Sequence, residues 1–371
     1  MNILSVGGEL NHHGRFVCDA LYNRLKSSFR RITTKEISCE RVLLGYEKEN
    51  DLPYNIVKTD IDIDFIKAQI EWADVIDYGN APEEYLHLAV AMGKKVFIRI
   101  ERLFKETHLK ILHPSVYRRY YNKYIQYKNN ENVYFLCVSA YAASDLKFIG
   151  INNNRILQWA YCPEFFNLKK EFDDSSPLKI LWAGRMIKWK HPEIAIKIAD
   201  CLKRRNIPFS MKIAGSGILM ESLKKKIASL NLSDVIDVTG SMPPKDIRDL
   251  MIESDVFLAT SDKNEGWGVV INEAMNAGCA VIASKKMGAA PVLVDHGING
   301  FLYNYKDSRY ACNIIKSLSS DRTRLRSLSK NAYDTICNHF SPEVYADVFI
   351  RLAEGNFVTN DSTILGRIIN K

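Results

Sequence analysis

The chain has 371 residues, a formal net charge of +8, 47% hydrophobic residues and 25% charged residues. These values are typical of a soluble protein with ordinary cores and suggest two domains. They exclude a membrane-spanning helix, because no apolar run approaches the ~18 residues that a span requires.

The eight cysteines are scattered and none forms a Cys-x-x-Cys pair. In a chain of this length, that spacing argues against a disulfide framework or a zinc site and favours reduced thiols. The opening MNILSVGGELNHHG lacks a basic region followed by a long apolar stretch, so no signal peptide is expected. Together these features predict a cytoplasmic protein.

The first half of the chain alternates short β-rich runs with helical patterns. The predicted strands are NILSVG, ADVIDYG, KKVFIRIE and VYFLCVS. The predicted helices lie from about residue 15 to 26, near 83–92, over 104–125 and over 140–149. Such alternation predicts a parallel sheet covered by helices on both faces.

A polar, acidic segment at 169–179, KKEFDDSSPLK, predicts a domain boundary, after which the same alternation restarts. KILWAGR, FSMKIAG, VIDVTG, DVFLATS and AVIAS are the predicted strands of this second half. The last helix is predicted in SPEVYADVFIRLAE, with Ser341 as N-cap and Pro342 at the first helical position.

We therefore predict an α/β protein with two Rossmann-like domains. The first covers 1–172 and is completed by a C-terminal helix at about 342–371, and the second covers 173–341. Ligands of such sheets bind beyond the carboxyl ends of the strands, so the expected site is a cleft between two facing sheets.

The segment SDKNEGWGVVINEAMNAGCAVIAS places Glu265 and Glu273 where a loop becomes a helix. Gly266 and Gly268 let backbone N–H groups approach a ligand, and a helix N-terminus favours an anion such as a diphosphate. The two carboxylates could then accept hydrogen bonds from hydroxyls at opposite ends of that anion, which is the layout of a nucleotide-sugar. Alternatively, both glutamates only favour the positive end of the helix.

Arg185 and Lys190 follow the strand KILWAGR and precede a predicted helix that starts near Pro192. A guanidinium and an ammonium at one sheet edge can neutralise a diphosphate leaving group. The alternative is a pair of solvated surface cations.

Two glycine-containing loops follow other strands. Gly215 and Gly217 in IAGSGI lack the third glycine of a dinucleotide fingerprint, so a tight turn and a contact with base or phosphate both remain open. The first loop, GGELNHHG, contains Gly8, His12 and His13; the histidines could bind an acceptor hydroxyl or phosphate, or be structural.

The acids of DIDID, residues 60–64, precede a helical pattern. Helix capping and surface charge explain them better than a metal site does. No metal site is predicted anywhere in the chain.

The whole excess of positive charge lies in residues 94–128, which contain ten Lys or Arg and two Glu. Tyrosines are interspersed in this basic stretch, which suits an anionic membrane interface. The alternative is a solvated helix whose tyrosines pack inward. A nucleic-acid-binding role lacks any recognised binding motif in the sequence.

Arg185 with Lys190, then Gly215 and Gly217, then Glu265 and Glu273 with seven residues between them, resemble in order and spacing the family 4 glycosyltransferases. The resemblance is strong over 178–305, including NEAMNAGCAVIAS and GINGFLY. NHHGRFVCDALY, ERVLLGY, RIERLFKE and CVSAYAASD resemble a bacterial subgroup found in surface-polysaccharide clusters. The resemblance implies retaining enzymes of the GT-B fold, which has two Rossmann-like domains.

The resemblance also implies roles for individual residues. Arg185 and Lys190 would hold the donor diphosphate, and Glu273 the ribose hydroxyls. Glu265 and the backbone of Gly266, Trp267 and Gly268 would face the transferred sugar. Gly215 and Gly217 belong to the same donor-binding set, and Gly8 would approach the donor phosphates from the first domain.

Many family members have a histidine after the strand that here reads VFIRIE, whereas this chain has Glu101–Arg102. Glu101 is therefore the candidate for the polar group near the reaction centre, with His13 in reserve.

The predicted function is retaining transfer of a sugar from a nucleotide-sugar, such as a UDP-sugar, to a glycan or lipid-linked glycan. No cofactor or metal is expected, because two cations and a helix terminus can stabilise the leaving group. The alternatives are a GT-B phosphorylase or epimerase, or a non-enzymatic nucleic-acid-binding protein.

Overall fold

A computed structural model describes residues 1–10, 12–39, 42, 51–105, 107–151, 153–167, 170–357 and 364–369, without the side chains of residues 12 and 153. Contacts divide the chain into two compact units. The first comprises Met1–Glu164 and His339–Lys371, and the second comprises Phe165–Asn338. The sequence placed the first boundary at 172/173 and the return of the chain near 342.

The first unit is built on one parallel sheet of seven strands. These are β1 (Ile3–Gly7), β2 (Phe29–Thr33), β3 (Asn55–Val57), β4 (Val75–Tyr78), β5 (Lys95–Ile100), β6 (Val133–Cys137) and β7 (Ile156–Gln158). Their spatial order is β3-β2-β1-β4-β5-β6-β7. The order reverses between β1 and β4, which is the switch point where doubly wound sheets bind ligands.

Helices cover both faces of this sheet. Those in its amino-terminal segment are α1 (His12–Leu25), α2 (Ile63–Trp72), α3 (Glu83–Ala91), α4 (Pro114–Lys123) and α5 (Ala142–Phe148). Helices α2 to α5 share one apolar core with the sheet. The pattern predicted over 104–125 is a short 3-10 helix, His108–Leu112, followed by α4. Pro114 separates the two because it has no N–H and keeps the preceding residue extended.

The second unit repeats the arrangement with six parallel strands. These are β8 (Leu178–Ala183), β9 (Phe209–Ala214), β10 (Ile236–Gly240), β11 (Val256–Ala259), β12 (Ala280–Ser284) and β13 (Gly300–Tyr303). Their order is β10-β9-β8-β11-β12-β13, the same doubly wound order as the first six strands of the first unit.

The helices of the second unit are α6 (Pro192–Arg204), α7 (Met220–Ser229), α8 (Pro244–Glu253), α9 (Val270–Asn276), α10 (Ala290–Leu293), α11 (Ser308–Ser320) and α12 (Arg322–His339). One large core joins α6, α7, α11 and α12 to the strands. Helix α9, which carries Glu273, has only seven residues.

The last helix, α13 (Pro342–Ala353), returns to the first unit and packs against α1. Ser341 caps it by accepting a hydrogen bond from the Val344 N–H, as predicted. Asp62 likewise accepts from the Phe65 N–H and caps α2, which confirms the capping interpretation of DIDID.

All eight cysteines are free thiols, and five of them are buried. Among the described residues, no helix is both long and apolar enough to cross a bilayer.

Candidate active site

In the second unit, three loops follow neighbouring strands at the carboxyl edge of the sheet. They come after β9, β8 and β11, which are adjacent in the sheet order. The loops after β8 and β11 carry the predicted cations and Glu265, and the loop after β9 carries the predicted glycines. Local sequence and strand order together therefore bring all the predicted donor-binding residues of this unit to one edge.

The loops after β8 and β9 cross at van der Waals contact. A Cβ atom on Gly215 would lie 2.0 Å from the Gly184 carbonyl oxygen, and one on Gly217 would lie 2.6 Å from the Met186 oxygen. Both glycines also have positive φ angles, +128° and +151°. Backbone crossing alone therefore requires glycine at both positions.

Lys190 is the central cation of this edge. Its Nζ lies 2.5 Å from Oε2 of Glu265, and each side chain is only 16% exposed. The Lys190 carbonyl accepts a hydrogen bond of 2.6 Å from the Thr260 hydroxyl. That hydroxyl in turn accepts 2.8 Å from the Trp182 indole. The Lys190 backbone is thus linked through the Thr260 hydroxyl to Trp182, a buried residue of β8.

Arg185 lies on the same loop but is exposed, with its guanidinium 5.8 Å from the ring centroid of Trp189. The two predicted cations therefore differ: Lys190 is already paired with a carboxylate, and Arg185 extends toward solvent along an aromatic ring.

Asp262 shapes the loop that carries Glu265. Its carbonyl accepts from the Glu265 N–H at 3.2 Å, and its side chain accepts from the Asn264 N–H at 2.8 Å. A Cβ on Gly268, whose φ is +93°, would lie 2.5 Å from Met287 Cε and 3.2 Å from Glu265 Cγ. Gly268 thus leaves room for the Glu265 side chain. No sequence pattern indicated the role of Asp262.

Trp267 is 2% exposed and donates its indole N–H to Asn272 at 2.8 Å. Its side chain therefore belongs to the core. Gly266 and Gly268 are buried as well.

Glu273 lies in the first turn of α9 and is partly buried. Burial raises the pKa of this carboxyl to about 7, and the positive charges of Arg248 and Lys190 act in the opposite direction. Arg248 comes from α8, and no local pattern indicated that it would approach Glu273. Since Lys190 also contacts Glu265, one ammonium influences both glutamates.

The remaining predicted residues lie in the first unit. Gly8 follows β1, and its carbonyl accepts from Arg31 Nη2 at 3.4 Å. A Cβ on Gly8 would lie 3.1 Å from the Asn80 oxygen. His12 and His13 begin α1, and the His12 side chain lies outside the described part of the chain. Glu101 follows β5 and accepts a hydrogen bond of 2.9 Å from the Tyr161 hydroxyl.

A buried polar network lies beneath Gly8. Asp77 accepts from the Ser5 hydroxyl at 2.8 Å and pairs with Arg99 Nε at 3.0 Å. Arg31 donates to the same Ser5 hydroxyl at 2.9 Å. This network fixes the loop after β1, and the sequence analysis did not identify it.

In the described ranges, no group of three or more His, Cys, Asp or Glu side chains is placed to hold a metal ion.

Residues 164–335, slightly less than half of the chain, match the family model described as "Glycosyl transferases group 1". The amylovoran biosynthesis glycosyltransferase AmsK of Erwinia amylovora is 33% identical over 162 residues. That alignment covers 42% of this chain and 40% of AmsK, so the chain matches less than half the length of this relative.

Two solved structures have the same fold as this chain. Anabaena Alr3699/HepE in complex with UDP has a TM-score of 0.71 at 18% identity, covering 96% of this chain and 100% of that one. The lipopolysaccharide outer core galactosyltransferase WaaB has a TM-score of 0.67 at 17% identity, with 96% and 100% coverage. The predicted fold class, GT-B with two Rossmann-like α/β domains, is confirmed.

Proposed function

We propose that this chain is a family 4 glycosyltransferase that moves a sugar, with retention, from a UDP-sugar to a glycan or lipid-linked glycan in bacterial polysaccharide biosynthesis. The observation that carries the proposal is Lys190, in contact with Glu265 and near Glu273, inside the segment that matches group 1 glycosyl transferases. The polysaccharide context follows from the similarity to AmsK, and UDP from the ligand of the Alr3699/HepE structure.

The charged residues at the carboxyl edge of the second sheet bind different parts of the donor. Lys190 and Arg185 neutralise the diphosphate, and Glu273 accepts hydrogen bonds from the ribose hydroxyls. Glu265 and the Gly266–Gly268 backbone face the sugar. Because Lys190 pairs with Glu265 in the structure, an arriving phosphate competes with Glu265 for the ammonium. Donor binding thereby releases the Glu265 carboxylate toward the sugar hydroxyls.

In the reaction, the bond between the anomeric carbon and the phosphate oxygen breaks, and its electron pair leaves with the nucleoside diphosphate. Lys190 and Arg185 stabilise that anion as positive charge develops on the sugar. The acceptor oxygen bonds to the same face of the anomeric carbon, and its proton passes to the departing phosphate. Glu101, or else His13, stays the candidate for the additional polar group that this step uses.

Transfer proceeds without a divalent metal in this proposal. Two protein cations at one sheet edge supply the positive charge that a metal supplies in other transferases. Helix α9 adds little to them, because a seven-residue helix has few aligned peptide dipoles.

A direct test is calorimetric titration of UDP into the wild-type chain and into Lys190→Ala. Loss of a charge-assisted contact of about 1.5–3 kcal/mol should weaken UDP binding roughly 10- to 150-fold. Lys225→Ala, an exposed lysine on α7, is the matched control. Equal affinity of wild type and Lys190→Ala for UDP would contradict the assignment.

We also propose that the first unit binds an anionic membrane surface through His108–Leu112 and α4. Leu109, Leu112, Tyr117 and Tyr121 are 70%, 76%, 48% and 45% exposed. Exposed Lys110, Arg118 and Arg119 lie among them. Apolar side chains that insert beside cations that attract anionic lipid are the features of an interfacial helix.

Less positive charge of the basic stretch, residues 94–128, is accessible than its sequence indicated. Tyr120, Tyr124 and Tyr127 pack inward. The Lys123 ammonium lies 5.9 Å from the Tyr78 ring centroid, and burial lowers the pKa of Lys123. Arg99 is bound to Asp77. Only part of the excess charge is therefore available to a membrane.

Co-sedimentation with phosphatidylglycerol vesicles at low and high salt tests this surface. The triple variant Lys110→Ala, Arg118→Ala, Arg119→Ala should lose roughly 3 kcal/mol of attraction, at about 1 kcal/mol for each cation, and bind far less than wild type.

The matched control replaces three exposed lysines of the second unit, Lys225, Lys245 and Lys316, by alanine. It removes the same charge and should bind vesicles like wild type. Equal loss in both triple variants would mean that net charge, not this surface, determines attachment.

A further inference from the structure

His191 lies between Lys190 and helix α6 and has a left-handed backbone, with φ 50° and ψ 51°. Residues other than glycine rarely adopt this conformation, because their Cβ approaches the carbonyl oxygen. A non-glycine residue persists there when surrounding contacts hold it in place.

The His191 side chain makes three such contacts. Nδ1 lies 2.9 Å from Glu193 Oε1, and Nε2 lies 3.1 Å from Asp262 Oδ2. The ring also stacks on Tyr305 with centroids 4.6 Å apart. Carboxylate oxygens only accept hydrogen bonds, so both contacts are hydrogen bonds when each ring nitrogen carries a proton.

Asp262 connects His191 to the Glu265 loop. Its N–H donates to the Trp189 carbonyl at 2.9 Å, and its own carbonyl accepts from the Glu265 N–H at 3.2 Å. With the bond from the Thr260 hydroxyl to the Lys190 carbonyl, the loops after β8 and β11 are joined at three points. Lys190 lies between Trp189 and His191 at this junction, and Glu265 follows Asp262 by three residues and pairs with Lys190.

We propose that His191 is a positioning residue for donor binding, an inference that rests on the proposed function. Its imidazole joins the loop of Lys190 to the loop of Glu265. The ammonium that meets the diphosphate and the carboxylate that meets the sugar thereby keep a fixed separation. In this role His191 contacts neither the donor nor the acceptor and acts through Asp262.

The test is His191→Gly, because glycine accepts the left-handed backbone and removes only the side chain. Asn206→Gly is the matched control, since Asn206 has φ 53° at the other end of α6. UDP affinity of the full-length chain should fall about tenfold in His191→Gly and stay unchanged in Asn206→Gly. Amide hydrogen exchange in residues 262–265 should accelerate in the first variant only.

A double variant then separates positioning from general destabilisation. If the imidazole acts through Asp262, then His191→Gly combined with Asp262→Ala should bind UDP no more weakly than the weaker single variant. Wild-type exchange rates in His191→Gly, or additive losses in the double variant, would overturn the proposal. Failure of the wild-type chain to bind UDP would refute the proposed donor, while the exchange measurement would still decide whether His191 joins the loops.

Discussion

We predict that the partly buried carboxyl of Glu273 makes donor binding depend on pH. Burial raises its pKa to about 7, so the group is mainly neutral below that pH and mainly ionised above it. A ribose hydroxyl donates a stronger hydrogen bond to the ionised form. Affinity for a nucleotide-sugar should therefore rise as the pH rises through 7.

The size of the effect follows from the ionised fraction of Glu273. With a pKa of about 7, that fraction grows from about one-tenth at pH 6 to about nine-tenths at pH 8. Because the neutral form also binds, the binding free energy should become more favourable by at most about 1.3 kcal/mol over this range. UDP-glucose is the suitable probe for calorimetry, because it has no terminal phosphate that titrates near pH 6. In Glu273→Gln, which cannot ionise, affinity should be lower at pH 8 and constant across this range.

The same pKa predicts the opposite trend for stability without nucleotide. Because the folded-state pKa lies above the ordinary 4.5, ionisation of Glu273 opposes folding as the pH rises from 4.5 through 7. Discounted for partial exposure, Glu273→Gln should raise the free energy of unfolding at pH 8 by about 1–2 kcal/mol. A pH slope of UDP-glucose affinity that is equal in wild type and variant, or a less stable variant at pH 8, would refute this reasoning.

Three further predictions concern the same edge. Glu265→Ala should lower turnover about 10- to 100-fold but bind UDP at least as tightly as wild type, because Lys190 loses its competing partner; equal weakening of UDP binding by Glu265→Ala and Glu273→Ala would count against separate roles. Transfer should continue in EDTA, and activity that is abolished by EDTA and restored by Mn²⁺ or Mg²⁺ would contradict the metal-free mechanism. Gly215→Ala should reduce the free energy of unfolding by at least about 2 kcal/mol in urea titrations, since its Cβ would overlap the Gly184 carbonyl. The control Gly14→Ala, within α1, should be neutral or stabilising. Equal stability of Gly215→Ala and wild type would contradict the crossing of the two loops.

The predicted strands include uninterrupted apolar runs, such as β12, and runs with single polar residues, such as β9. Strand β2 was missed because Arg30 and Arg31 interrupt its pattern. Arg31 is nevertheless buried, since it lies opposite Ser5 in the register and shares that hydroxyl with Asp77. This compensation depends on strands far apart in the chain, and a local pattern cannot contain it.

The candidate site, like the strands, was predicted only in part from the sequence. Spacing along the chain placed Lys190 and Glu265 at one edge, because both follow parallel strands that proved to be neighbours. It did not indicate their direct contact, nor that His191 and Asp262 hold the two loops together. Those features depend on a left-handed residue and on bonds between loops about seventy residues apart in the sequence.

Proton NMR of the chain incubated with α-linked UDP-sugars tests the central claim most directly, since it follows both UDP release and the configuration of the first sugar product. We expect at least one UDP-sugar to be consumed, its first product to keep the α configuration, and the rate to fall strongly in Lys190→Ala. A β product would contradict retention. Consumption only with inorganic phosphate, giving a sugar 1-phosphate, would indicate a phosphorylase, and no consumption of any nucleotide-sugar with acceptor glycans present would contradict the proposed transfer.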